Sequence, residues 1–308
     1  MFLKYLINPK PIIILFFVAF CIIFTCFPLF YYSIHQIFCH DFIPPFVMLM
    51  IAIVIPSFHA LGLNNLIYEK NIIRKDNLVL CFVYMLLSTP YTNIINEWII
   101  SFSMLFVLNY IFSSYQKKFP FSQIFNISII ISVLSFISPN ILLLSFFIII
   151  SSITYNQFNW RNLSVSFIGV CLPYFFYFFY TILFEKPFYF PEFNDPHLIK
   201  DLAIFSFPKL IWCCVILLVS CCSFIELFKW LYKKSIRSRK SFLVIFLYLI
   251  LIFVFLVFNI LQSWYLLMTP LCIIIGNYFT YTKHKKTANF LFILLVLSSF
   301  YYKCNIGL

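Results

Sequence analysis

Two carboxylates in this chain sit where they could do chemistry at a membrane edge. Asp41 follows His40 and precedes the proline pair Pro44-Pro45, and Glu97 stands beside Trp98. A carboxylate there acts as a general base or acid if burial tunes its pKa. Facing one another across a cavity, Asp41 and Glu97 could divide those catalytic roles on a lipid-linked substrate or hold a divalent cation. The simpler reading of each is local: Asp41 as the N-cap of the helix it precedes, and Glu97 as a solvated acid in a turn. Sequence spacing alone does not bring them together.

A second candidate set lies between Glu185 and Asp201, where Glu192, Asp195 and His197 are mixed with Phe188, Tyr189, Phe190 and Phe193. Aromatic faces beside carboxylates suit a sugar or a lipid headgroup, so these three polar residues are the candidate substrate contacts. The acids with a histidine could also ligate a cation. Their spacing matches no metal pattern, and an interfacial loop resting its rings on headgroups accounts for the same residues. No metal or cofactor is therefore assigned. Eleven cysteines do not change this, because Cys213, Cys214, Cys221 and Cys222 fall within one apolar run, where thiols behave as small hydrophobes. No phosphate loop, zinc-protease pair or nucleophile elbow is present. His59, in an apolar run after Pro56, reads as a hydrogen-bonded packing residue about one turn from a helix end.

The elements that would position these groups are membrane helices. The chain has 308 residues, of which 64% are hydrophobic and 10% charged, and its mean hydropathy is +1.02. That is too little polar surface to cover a soluble domain of this size. A bilayer core takes about 20 apolar residues per helix, which leaves room for about eleven spans. The apolar runs are Pro11–Tyr32, Ile43–Leu63, Leu78–Pro90, Ile99–Ser114, Phe121–Ile137, Ile141–Tyr155, Leu163–Phe184, Leu210–Phe228, Ser241–Leu261, Trp264–Tyr281 and Ala288–Tyr302. Several are short, so tilted or partly re-entrant helices are expected among them. The expected fold is all-α: a polytopic transmembrane bundle forming a single membrane-embedded domain over residues 1–308. The first run, behind Lys4 and Lys10, resembles a signal peptide but lacks small residues at a cleavage site, so it reads as a retained helix.

The net charge of +12 does not point to nucleic acid, because the charges lie in short loops. With this threading all but Lys186, Lys200, Lys209 and Lys303 of the 21 Lys and Arg fall on one side. The positive-inside rule makes that side, with the amino terminus, cytoplasmic. The densest run, Lys229 to Lys240, reads as a topology signal that could also gather anionic lipid.

From Asn64 to Tyr180 the chain resembles an uncharacterised family of Bacteroidota inner-membrane proteins, domain of unknown function 6427. The resemblance rests on the short helices after RKDN, the LLSTP and FISPN breaks, and FNWRNLSVSFIGVCLP. It implies a Bacteroidota genome and a cytoplasmic-membrane address, and brings no established activity. In pattern the chain is also similar to the C-superfamily glycosyltransferases, which use polyprenyl-phosphate sugars and carry an acidic catalytic residue in the first outward loop. Asp41 is the position that matches. The chain departs from that pattern in having a first loop of about ten residues, no paired acidic motif and no large outer domain. The expectation is thus a multi-pass inner-membrane protein in contact with the lipid bilayer and with no nucleic acid. It would act as a non-catalytic subunit or scaffold beside a membrane-protein partner in an envelope pathway. The alternative is a reduced glycosyltransferase-like enzyme using a polyprenyl-linked substrate at the outer leaflet.

Overall fold

The computed structural model describes residues 2–7, 9–33, 44–89, 95–187, 206–258 and 264–305. Asp41, Glu192, Asp195 and His197 lie outside these residues. The described residues are helical almost throughout, in the order α1 Phe2–Leu6, α2 Pro11–Cys26, α3 Pro45–Glu69, α4 Val79–Leu87, α5 Ile95–Ser114, α6 Phe121–Leu134, α7 Ser145–Thr154, α8 Trp160–Leu183, α9 Phe207–Leu231, α10 Ile236–Val257, α11 Trp264–Tyr281 and α12 Lys285–Cys304. Short 3-10 turns, Phe27–Phe30 and Pro139–Leu144, extend α2 and lead into α7. Among the described residues seven helices are long and apolar enough to cross a membrane: α2 with its 3-10 extension, α3, α5, α8, α9, α10 and α12. The fold is an all-α helical bundle of the polytopic membrane type.

Local sequence explains where the helices begin and stop. Prolines open α2, α3 and α9 in the first turn, where the missing N–H costs no helical bond. Asn71, Asn156 and Glu185 take positive φ just past the ends of α3, α7 and α8. Each lets a later amide reach back five residues, as from Gln157 to the Ser152 carbonyl at 2.8 Å. Pro56 lies inside α3, and the next side chain donates to the carbonyls around the break, Ser57 Oγ to those of Ile53 at 2.7 Å and Val54 at 2.9 Å. In an apolar surround such a hydroxyl gives the backbone beside a proline a further donor.

The chain folds as two compact units. One comprises Met1–Phe102, Asp201–Ser238 and Tyr265–Leu308, the other Ser103–Lys200 and Arg239–Trp264.

In the first unit, α4 is the centre. Nine residues of helix rise only about 14 Å, half the thickness of a bilayer core, and every residue of α4 is buried. With no polar face, such a helix is stable only when surrounded. Phe82 meets Phe17 of α2 at 5.2 Å, Tyr84 stacks on His59 of α3 at 4.3 Å, and Cys272 of α11 donates to the Leu80 carbonyl at 3.2 Å. Gly276 of α11 permits this approach, since a Cβ there would stand 2.8 Å from the Leu80 side chain. The LLSTP break caps α4: Ser88 donates to the Met85 carbonyl at 2.8 Å, Thr89 to that of Leu86, and Ser299 of α12 also to that of Leu86 at 3.2 Å.

In the second unit α6 and α8 lie against each other through small and hydroxyl-bearing side chains. Ser128 donates to Ser166 Oγ at 3.1 Å, Ser132 donates to the Val170 carbonyl at 2.7 Å, and Ser135 is hydrogen-bonded to the Tyr174 hydroxyl. Gly169 sits at the closest point, where a Cβ would stand 2.7 Å from Ser128 Cβ. Between apolar helices in lipid, small residues and interhelical hydrogen bonds supply the association that hydrophobicity cannot. The remaining surface of α8 is exposed and apolar, with Phe167, Phe175, Phe176 and Leu183 outward, as a lipid-facing helix requires.

Candidate functional site

At one end of the first unit the carboxyl end of α2, the start of α3, the start of α5 and the end of α12 come together. Met48, Leu49 and Ala52 form a buried cluster that Leu29, Tyr32 and Ile95 pack against. The Tyr32 hydroxyl donates to the Cys304 carbonyl at 3.2 Å, tying α12 to the same place. Glu97 and Lys303 are charged residue types at this end among the described residues.

Glu97 does not occupy a turn, as its sequence setting suggested. It lies in the first turn of α5, which begins at Ile95 and so takes in residues read as a connection. A carboxylate in a first turn faces the positive end of the helix dipole and the unbonded amides there, which favours that placement. Glu97 is half-buried beside the buried ring of Trp98, and its Oε2 is enclosed with no hydrogen-bond partner among the described residues. It lines none of the cavities at Tyr281, Trp160, Asn162 and Asn64.

Lys303 reads in the sequence as a charge at an outer membrane edge. The structure instead turns it inward: it is 4% exposed, donates to the Phe24 carbonyl at 3.0 Å and lies 4.1 Å from the centre of the Phe24 ring. A backbone carbonyl and a ring face offer partial charge without a counter-ion. Among the described residues no carboxylate pairs with it. A lysine one turn from the end of an apolar run gives the same sequence signal whether it reaches out to headgroups or folds back into the bundle. Only the helix rotation set by Phe300, whose ring meets Phe24 and Phe27 at 5.1 and 4.9 Å, decides between them.

His59 is fully buried, stacked on Tyr84 and edge-on to Phe102 at 6.2 Å. Its packing role matches the sequence reading. The hydrogen bonds expected for it are absent, since neither ring nitrogen has a partner among the described residues. Tyr84 in turn is hydrogen-bonded to Ser101 at 3.2 Å, so a polar line runs from α3 through α4 to α5. No group of three or more His, Cys, Asp or Glu able to hold a metal occurs among the described residues.

Chemically, this end offers an unpartnered carboxylate oxygen on α5 and a buried ammonium on α12. No family model matches the chain, and no curated protein or solved structure matches it either.

Proposed function

We propose that the protein is a multi-pass subunit or scaffold of a cell-envelope pathway, carrying out no chemistry of its own. On this reading it lies in the bacterial cytoplasmic membrane with its amino terminus inside, beside a membrane-protein partner. The observation that carries it is the dispersal of the polar groups. Among the described residues, none of the cavities at Tyr281, Trp160, Asn162 and Asn64 joins a carboxylate to a histidine, lysine or cysteine in its lining, whereas general acid–base chemistry needs such groups within reach of one substrate atom. The test is purification in mild detergent from cells expressing a tagged chain. A stoichiometric membrane-protein partner supports the proposal, and a lone purified chain that turns over a lipid-linked sugar overturns it.

A second reading rests on the enclosed, unpartnered Oε2 of Glu97. It makes the protein a reduced glycosyltransferase-like enzyme using a polyprenyl-phosphate sugar at the outer leaflet. Asp41 and Glu97 would then act as base and acid, with Glu192, Asp195 and His197 holding the substrate. Under it, Asp41→Asn and Glu97→Gln abolish function at undiminished protein abundance. Unaffected variants rule it out.

A further inference from the structure

At the opposite end of the first unit from Glu97, the amino-terminal segment closes over the α11–α12 connection. The Leu78 amide donates to the Leu6 carbonyl at 2.9 Å, Ile7 and Asn77 form an antiparallel bridge, and the Leu3 amide reaches Asn289 Oδ1 at 3.4 Å. These ties leave a cavity of about 520 Å³. Its polar lining is Lys4, Lys75 and Lys285 with Thr280, Tyr281, Thr282 and Asn289, over an apolar floor that includes Leu3 and Phe279, and among the described residues no acid takes part in it.

Two further cations stand around the same tyrosine. Lys75 and Lys234 place their ammonium groups 5.0 and 4.5 Å from the centre of the Tyr281 ring, and the Arg74 amide donates to its hydroxyl at 3.1 Å. The Arg74 guanidinium donates to a neutral oxygen, Ser235 Oγ, at 3.5 Å. None of these five cationic side chains has a carboxylate partner among the described residues. Asp76, next in the chain, lines a different groove with Asn64 and Tyr68.

Like charges gathered without a counter-charge repel one another, and the cost is recovered when an anion binds between them. We propose that this cavity is a binding site for a phosphate-bearing anion, either the headgroup of an anionic lipid or a free phosphate. Ammonium groups take phosphate oxygens as point charges, while hydroxyl and amide donors fix the remaining ones. The apolar floor offers a path for an attached chain, and the volume falls in the range of small-ligand sites, about 300–1,000 Å³. Burial and the nearby Arg74 and Lys75 hold the Lys234 ammonium below the usual lysine range, as expected of a cluster whose counter-charge comes from outside the chain.

The test uses the full chain in neutral detergent micelles at fixed ionic strength. The thermal unfolding midpoint is followed while dioctanoyl phosphatidic acid, inorganic pyrophosphate or sodium chloride is added. The expected result is saturable stabilisation by a phosphate compound and none by chloride, since a ligand bound only by the folded state stabilises it. Saturation by the lipid alone identifies a headgroup site, and saturation by both identifies a site for phosphate itself. Lys75→Gln with Lys285→Gln should weaken binding at least tenfold, Lys4→Gln gives a milder second variant, and Lys117→Gln in the other unit leaves binding unchanged. The proposal is overturned if neither phosphate compound stabilises beyond chloride, or if the midpoint shift survives the lysine substitutions intact.

Discussion

Replacing Gly169 with alanine sets two effects of opposite sign against each other. Alanine is the better helix former, by about 0.8–1 kcal/mol in a helix interior, so local propensity alone predicts a more stable α8. The interface with α6 predicts the reverse. The new Cβ would stand 2.7 Å from Ser128 Cβ and 3.1 Å from the Phe125 carbonyl oxygen, against an ordinary contact that begins near 3.4 Å. Part of that opposition is backbone and cannot rotate away, so the helices must part by roughly 0.7 Å. The Ser128 to Ser166 bond, at 3.1 Å, would stretch beyond useful length, and the Ser132 to Val170 bond, at 2.7 Å, would weaken. Interhelical hydrogen bonds in membranes average about 0.6 kcal/mol each, and forcing a methyl into a packed interface costs about 1–3 kcal/mol. Setting the propensity gain against these gives a net loss of about 1–3 kcal/mol. Thermal unfolding of the purified protein in detergent, followed by intrinsic fluorescence, reads it out. Adding Ser128→Gly to the alanine variant should recover part of the loss, with a coupling above about 0.5 kcal/mol. A Gly169→Ala protein as stable as the parent, or more so, would refute the close-packed α6–α8 interface.

Other outcomes follow from the same structure. Lys303→Met keeps the length and volume of the stem while removing a buried charge; because replacing buried charges with apolar groups is often neutral or favourable, its unfolding midpoint should hold or rise, and a marked fall would show that the Phe24 contacts are needed for folding. The lowered Lys234 pKa means that the folded chain releases this proton before the unfolded chain does. Stability should therefore climb as pH rises from the lowered value toward the ordinary value of about 10.4. Lys234→Gln should flatten that climb, measured by unfolding between pH 8 and 10.5. Reporter fusions after Lys117 and after Glu185 should fall on opposite sides of the membrane, the first inside; finding both on one side would overturn the proposed threading.

Much of the architecture was legible in the residues themselves. The lack of polar surface dictates lipid-solvated helices, and prolines, LLSTP and FISPN mark the breaks, because backbone chemistry at a helix end is local. The short helices appear where the sequence places them. Glu97 shows the limit: the polar residues before Trp98 read as a connection, and α5 takes in those from Ile95, which packs on the Met48 cluster. The serine line on α6 was visible as residues, yet its meaning depended on Gly169 and Ser166 facing it from α8.

Composition and charge placement by themselves determined that this is a helical membrane protein, because burial in lipid is a property of whole segments and averages over their details. Which side chains meet was decided only by the tertiary structure. Lys303 turning inward, His59 standing unbonded against Tyr84, and three lysines from distant parts of the chain sharing one cavity all depend on how each helix is rotated and where its neighbours end. An apolar helix carries almost no amphipathic signal to give that rotation in advance, and close packing between particular residues supplies it instead.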